Sequence, residues 1–146
     1  MTGETMADHV MTRSLFETLL PLLRRLNASR TLSPGKLGVL RHVAEHGRAS
    51  TSELAAVVHV SPQAISLAAR ELERLQLVMR VPDAEDRRRA WIELTDAGRQ
   101  KLAQESAAGQ GWLDRAITER LTTEERESLE AVIPILRKLG SEASVD

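Results

Sequence analysis

The tightest constraint on this chain is the dipeptide Ser61-Pro62, which marks a helix start in the middle of residues 50–95. A serine hydroxyl at that point accepts from an orphan N–H of the first turn. The proline that follows gives up a donor the helix would leave unpaired anyway. From there Ile65, Ala68, Ala69, Leu72 and Leu75 recur at helical spacing, so the sequence predicts one buried stripe and one free face. Upstream, Ser50 with Glu53 three residues on predicts a capping box for a short helix over 50–58. Downstream, residues 77–81 and 90–95 alternate with period two around a charged tip at 82–89, the pattern of a β-hairpin. Helix, short turn, helix and hairpin in that order make the plan of a winged helix-turn-helix. That plan offers one helix to a DNA groove and one arm beside it.

The flanks read as helices. Residues 1–30 form one long amphipathic helix or two short ones. Val10, Leu15, Phe16, Leu19, Leu20, Leu22, Leu23 and Leu26 cover more than one face, which calls for two packing partners, one of them another chain. Pro21 is expected to kink this helix, and residues 27–31 to end it. Ser33-Pro34 repeats the cap-plus-proline opening for a helix through Leu37, Leu40, Val43 and Ala44 to a stop at Gly47, and residues 48–49 fit a stub strand. Thr95 caps a helix running through Leu102, Trp112, Leu113 and Ile117 toward Leu121. Its small-residue patch at 107–111 holds two glycines that cost about 1 kcal/mol each against alanine, so the helix bends there or crosses a neighbour closely. Thr122 and Glu125 form a second capping box for a last helix through Leu129, Val132, Ile133, Leu136 and Leu139, with a kink expected at Pro134 and a frayed tail over 141–146.

Composition narrows the function. A 146-residue chain is one domain, alone or with oligomerisation helices, and buries enough surface to fold without a metal or disulfide. The absence of cysteine excludes disulfides, thiolate nucleophiles and sulfur-ligated zinc. No segment approaches 18 apolar residues and the N-terminus lacks a leader pattern, so a cytoplasmic protein with no membrane partner is expected. The formal net charge of −1 hides an asymmetry: residues 1–89 hold 13 basic and 10 acidic side chains, and residues 90–146 hold 7 and 11. A DNA-binding face on the central region is compatible with that split. No Gly-x-Ser-x-Gly, phosphate-cradling glycine loop or His-Glu-x-x-His occurs, so an enzyme is not expected and no catalytic residue is assigned.

The segments together resemble the multiple-antibiotic-resistance regulator (MarR) family of bacterial repressors over nearly the whole chain. The most specific match is residues 86–98, Asp86-Arg87-Arg88-Arg89-Ala90-Trp91-Ile92-Glu93-Leu94-Thr95-Asp96-Ala97-Gly98, similar to the family's wing signature of Asp-x-Arg, a strand and Leu-Thr-x-x-Gly. Supporting matches open four helices at Leu32-Ser33-Pro34, Ser52-Glu53-Leu54, Val60-Ser61-Pro62 and Leu121-Thr122. The resemblance implies a mainly α fold with a small β-hairpin wing: a core at about 33–95 and dimerisation helices at about 5–30 and 96–140. It further implies a homodimer on a roughly palindromic operator in double-stranded DNA, and repression relieved by a small aromatic or otherwise anionic effector whose site is unassigned. Two departures stand out. Gln76 occupies the place of the usual helix-ending glycine, which predicts a left-handed non-glycine residue, and Leu67 replaces a common arginine.

The candidate DNA contacts follow. Ser61, Pro62, Gln63, Ser66 and Arg70 lie on the first turns and free face of the recognition helix. Gln63 is suited to bidentate bonding of an adenine edge, and Ser61 and Ser66 to phosphate or base. At the wing tip Arg88 is expected in the minor groove with Asp86 accepting its hydrogen bonds, and Arg87 or Arg89 on phosphates. Lys36 and Arg48 are further phosphate candidates. The bland readings are capping for Ser61 and solvated surface for the others. His42 and His46 have metal-compatible spacing but no third ligand, so no metal or other cofactor is assigned; His9 and His59 have no place beside them. Trp91 and Trp112 are expected as core or interface anchors. The remaining alternatives are a winged helix for protein contacts only, a constitutive DNA-binding module without an effector, and, less favoured, a metal-responsive regulator using His42 and His46.

Overall fold

A computed structural model describes residues 2–141. In chain order it has α1 (Thr2–Ala28), α2 (Pro34–His46), β1 (Ala49–Ser50), α3 (Thr51–Val58), α4 (Pro62–Arg74), β2 (Val78–Pro82), β3 (Ala90–Leu94), α5 (Asp96–Arg120) and α6 (Thr123–Gly140). The chain divides into two compact units, Met1–Gln110 and Gly111–Asp146, and the division falls inside the glycine-bearing patch of α5. Both α1 and α6 run unbroken through their prolines, Pro21 and Pro134. Of the tail expected at 141–146, only Ser141 lies within the described residues.

Local chemistry accounts for the helix starts. Ser33, Ser61 and Thr122 each accept a first-turn backbone N–H on their side-chain oxygen, and Ser50 and Thr122 close full capping boxes with Glu53 and Glu125. The stub strand is real: β1 pairs antiparallel with β3 (Ala49↔Ile92, Ser50↔Trp91), β3 pairs with β2, and the sheet order is β1-β3-β2. In the first unit, Leu40, Val43, Leu54, Ile65, Ala69, Leu72, Val78 and Ile92 form one buried cluster that joins α2, α3 and α4 to the sheet. Leu75, expected in that stripe, is instead 49% exposed. It is the C-cap of α4, where the helix has already ended and the 3.6-residue period no longer applies.

The end of α4 is a tightly specified corner. Leu77 N–H donates to Leu72 C=O and Gln76 N–H to Glu73 C=O, with Gln76 at φ 62°, so a glutamine holds the left-handed position of a Schellman motif. The Leu77 carbonyl then accepts Thr95 N–H at 3.1 Å. The Thr95 hydroxyl donates to Gln76 C=O at 2.7 Å and accepts Gly98 N–H at 3.0 Å, capping α5. A Cβ on Gly98 would lie 2.0 Å from the Leu77 carbonyl oxygen. The glycine of the Leu-Thr-x-x-Gly pattern is therefore required by backbone crossing backbone.

A second anchor has no counterpart in the sequence pattern, which places the acidic side chains on solvated helix surfaces. Glu105 of α5 is 3% exposed. Its carboxylate accepts Thr31 N–H at 2.9 and 3.1 Å, accepts the Thr31 hydroxyl, and pairs with Lys101 Nζ at 3.3 Å. Burial pushes its pKa up, but the hydrogen bonds from Thr31, Lys101 and the Leu32 backbone outweigh that and hold the carboxyl below its ordinary value. Nearby, Gly109 packs against the Arg30 guanidinium. The neighbour is a side chain beyond the end of α1, whereas the small-residue patch was expected to serve a bend or a helix crossing.

Two stability outcomes follow. Gly98→Ala should lower the unfolding free energy by about 1–3 kcal/mol in urea melts, since neither backbone can retreat. Glu105→Gln should lower it by about 1–3 kcal/mol at neutral pH, because an amide presents a donor where Thr31 also donates. The native carboxyl titrates below its unfolded value, so its contribution is complete above that value, about 4.3, and is lost as pH falls through the folded pKa. The wild-type and Glu105→Gln curves should thus converge in acid; a gap that persists there would refute the anchor.

Candidate nucleic-acid interface

The face of α4 opposite the core is the first half of the candidate interface. Ile65, Ala69 and Leu72 are buried, while Pro62, Gln63, Ser66, Leu67 and Arg70 line one shallow depression on the other side. Gln63, Leu67 and Arg70 are exposed and Ser66 is half-buried. Ser61 differs from them: its hydroxyl accepts Ala64 N–H at 3.1 Å, so its side chain is already engaged in capping. Leu67, at 60% exposure, puts an isobutyl group where the resemblance anticipates a guanidinium. Such a group can touch a thymine methyl but cannot donate to a phosphate.

The wing is the second half. Its tip is held by backbone-directed carboxylates: Asp83 Oδ1 accepts Glu85 N–H at 3.1 Å and Asp86 Oδ1 accepts Arg88 N–H at 3.0 Å. Asp86 C=O also accepts Arg89 N–H, and Arg89 C=O accepts Asp83 N–H. Asp86 therefore fixes the tip through the Arg88 backbone, whereas the expected bond was to the Arg88 guanidinium. An Asx turn satisfies the carboxylate locally, which leaves the Arg87 and Arg88 side chains exposed and without an ion pair among the described residues.

Other cations are committed internally. Lys36 pairs with Glu71 of α4, and its hydrogen bond and charge hold the Glu71 carboxyl below the ordinary value. Arg80 of β2 pairs with Glu73 at 3.6 Å. Of the two peripheral phosphate candidates, Lys36 is thus tied to α4, while Arg48 is exposed and lies with its Cζ 5.0 Å from the centroid of the Trp91 ring. Arg89 lies over the same ring at 5.5 Å. Trp91 is not an anchor in the main core; it is a half-buried residue of β3 beneath two guanidiniums. Its only sequence signal is period-two alternation, which puts it on the sheet face opposite Ile92. Trp112, in the second unit, is likewise half-buried.

The histidines stay apart from this surface. His42 and His46 stack with ring centroids 4.5 Å apart, and His46 Nδ1 lies 3.2 Å from His42 C=O. Among the described residues no group of three or more His, Cys, Asp or Glu side chains is arranged to hold a metal. His59 holds the left-handed C-cap of α3 at φ 58°, a backbone role in the turn before α4 that no sequence pattern announced. Among the described residues no helix is long and apolar enough to cross a membrane.

Known proteins share this arrangement. The MarR family model matches residues 32–90, which run from the approach to α2 to the first residue of β3. The HTH-type transcriptional repressor MdtR of Bacillus subtilis (strain 168) is 31% identical over 134 residues, covering 92% of this chain and 84% of that one. A solved structure of a putative transcriptional regulator from Pseudomonas aeruginosa PA01 superposes with a TM-score of 0.81 at 30% identity, covering 94% of this chain and 98% of that one. Sco3205, a MarR family transcriptional regulator from Streptomyces coelicolor solved in complex with DNA, superposes with a TM-score of 0.65 at 25% identity over 94% and 90% of the two chains. With its fold, its wing signature and its relatives in agreement, this chain belongs to the MarR family of DNA-binding transcriptional regulators and is not an enzyme.

Proposed function

We propose that the chain acts as a homodimeric repressor on a roughly palindromic operator. In this reading the core at about 33–95 is the reading head and the helices at about 5–30 and 96–140 carry dimerisation, all within one MarR-like domain. The observation that carries the DNA-contact assignment is the division of α4. One face is built into the core, and on the other Gln63, Ser66 and Arg70 enter no hydrogen bond or ion pair with any described residue. Gln63 reads an adenine edge, Ser66 and Arg70 bond bases or phosphates, and Pro62 sets the approach of the helix N-terminus. The wing supplies Arg88 to the minor groove and Arg87 to phosphates. The sign of regulation is supported by the similarity to MdtR, a repressor by name.

Dimerisation is supported by apolar surface on two helices taken separately. On α1, Met6, Val10, Met11 and Phe16 are 61–71% exposed, and α6 buries none of its residues while carrying Ile135 and Leu139 at 59% and 68% exposure. Large apolar side chains left this exposed along one helix mark an interaction face. Release by a small aromatic anion is the expectation that the family resemblance brings to this reading.

Selection of bound duplexes from a random pool, with and without aromatic carboxylic acids, tests the reading. The wild-type chain should enrich an inverted repeat with half-sites about 34 Å apart, and acids that act should weaken binding to it. Gln63→Ala should reduce discrimination at one base pair by about 1–3 kcal/mol while leaving affinity for mixed DNA unchanged. Unaltered discrimination would remove Gln63 from base readout, and a monomer in sedimentation at micromolar concentration would sink the dimeric reading.

A further inference from the structure

Two guanidiniums from separate parts of the chain meet on one indole. Arg48 lies in the link between α2 and β1, and Arg89 is the last residue of the wing tip before β3. The register explains the meeting. Ser50 pairs with Trp91 in antiparallel register, so the chain brings Arg48 to the indole from the Glu93 side and Arg89 from the wing-tip side. The ring attracts cations through its quadrupole and leaves their charge in place. Glu93 belongs to the same face of β3, yet among the described residues neither guanidinium forms an ion pair with it or with any other carboxylate. Two like charges are thereby gathered and left unneutralised. A residue that served only to fill the sheet would be covered by apolar neighbours instead.

We propose that Trp91 is a positioning residue of a phosphate clamp, its indole holding Arg48 and Arg89 together as one dicationic site for the phosphodiester backbone of duplex DNA. This rests on the reading that the wing side of the lobe meets DNA. It goes further in joining the α2–β1 link to the wing as one contact and in giving a role to a residue outside the base-reading helix. Phosphate oxygens of the backbone accept from both guanidiniums. The contact is independent of sequence, so it adds affinity and salt dependence without discrimination.

The test uses the full chain and a mixed-sequence duplex of about 30 base pairs, since phosphate contacts operate on any sequence. Affinity is measured across a salt series for wild type, Trp91→Leu, Trp91→Phe, Arg48→Gln/Arg89→Gln and the triple variant, with urea melts to verify folding. The arginine pair should lower the slope of log affinity against log salt by up to about two, and binding at 0.15 M salt should weaken by about fivefold for each phosphate that is no longer neutralised. Trp91→Leu should reproduce much of that loss, Trp91→Phe should restore most of it, and the triple variant should bind no worse than the double. In Trp112→Phe, which leaves Trp91 as the sole indole, duplex should shield the emission from acrylamide and added salt should undo the shielding. A wild-type slope in Trp91→Leu beside a reduced slope in the arginine pair overturns the clamp and leaves the wing reading standing. An unchanged slope in the arginine pair overturns the clamp, and the wing reading, which rests on Arg87 and Arg88, falls with it only if their glutamine variants also keep the wild-type slope. If Trp91→Leu does not fold, the indole experiment decides: no shielding by bound duplex refutes the proposal.

Discussion

A single carbonyl, that of Leu77, carries the geometry of the winged lobe. It receives the Thr95 N–H, and it passes so close to the first turn of α5 that only a glycine fits at position 98. Because the Schellman end of α4 runs directly into that residue, three things are set together: where the recognition helix stops, where the wing begins and where α5 starts. The Thr95 hydroxyl ties the same corner from the other side through Gln76. An angular change in the first turn of α5 must therefore be felt at the wing root and at the C-terminus of α4. This is the kind of rigid linkage through which a distant ligand can bias a reading head.

Charge is distributed by a similar logic. Overall the chain is close to neutral, so attraction to a polyanion is a local property. Lys36 and Arg80 are engaged by Glu71 and Glu73, two acidic residues of α4 itself. These pairs brace α4 against α2 and β2 and contribute little free charge. Arg70, Arg87 and Arg88, and the pair on Trp91, have no carboxylate partner among the described residues. The lobe thus holds bracing cations and available cations on neighbouring elements, and sequence composition alone cannot separate the two.

What could be read in advance was whatever depends on near neighbours in the chain. The Ser-Pro and Thr-x-x-Glu helix starts, the hairpin with its charged tip, and the need for a left-handed residue at Gln76 are all decided within a few residues, and each lies where the pattern put it. Leu75 shows the limit of periodicity, which cannot tell where a helix stops counting. Asp86 shows the limit of chemical pairing, since the carboxylate chose the backbone N–H two residues away over the neighbouring guanidinium. Trp91 and Glu105 were out of reach for a different reason. Their partners lie far off in the chain, and nothing local distinguishes a tryptophan under two arginines from one in a core, or a buried glutamate from a solvated one.

The Glu105 anchor also bears on how the molecule comes to be made. It joins residues 74 positions apart, so synthesis must pass the middle of α5 before the end of α1 can be tied to it. The winged lobe closes on contacts completed by Gly98 and can form while the ribosome is still extending the chain. Order of emergence therefore staggers assembly: the lobe first, the tether second, and α6 last. By the time the apolar surface of that final helix leaves the exit tunnel, every residue of the lobe and of the tether has already emerged ahead of it.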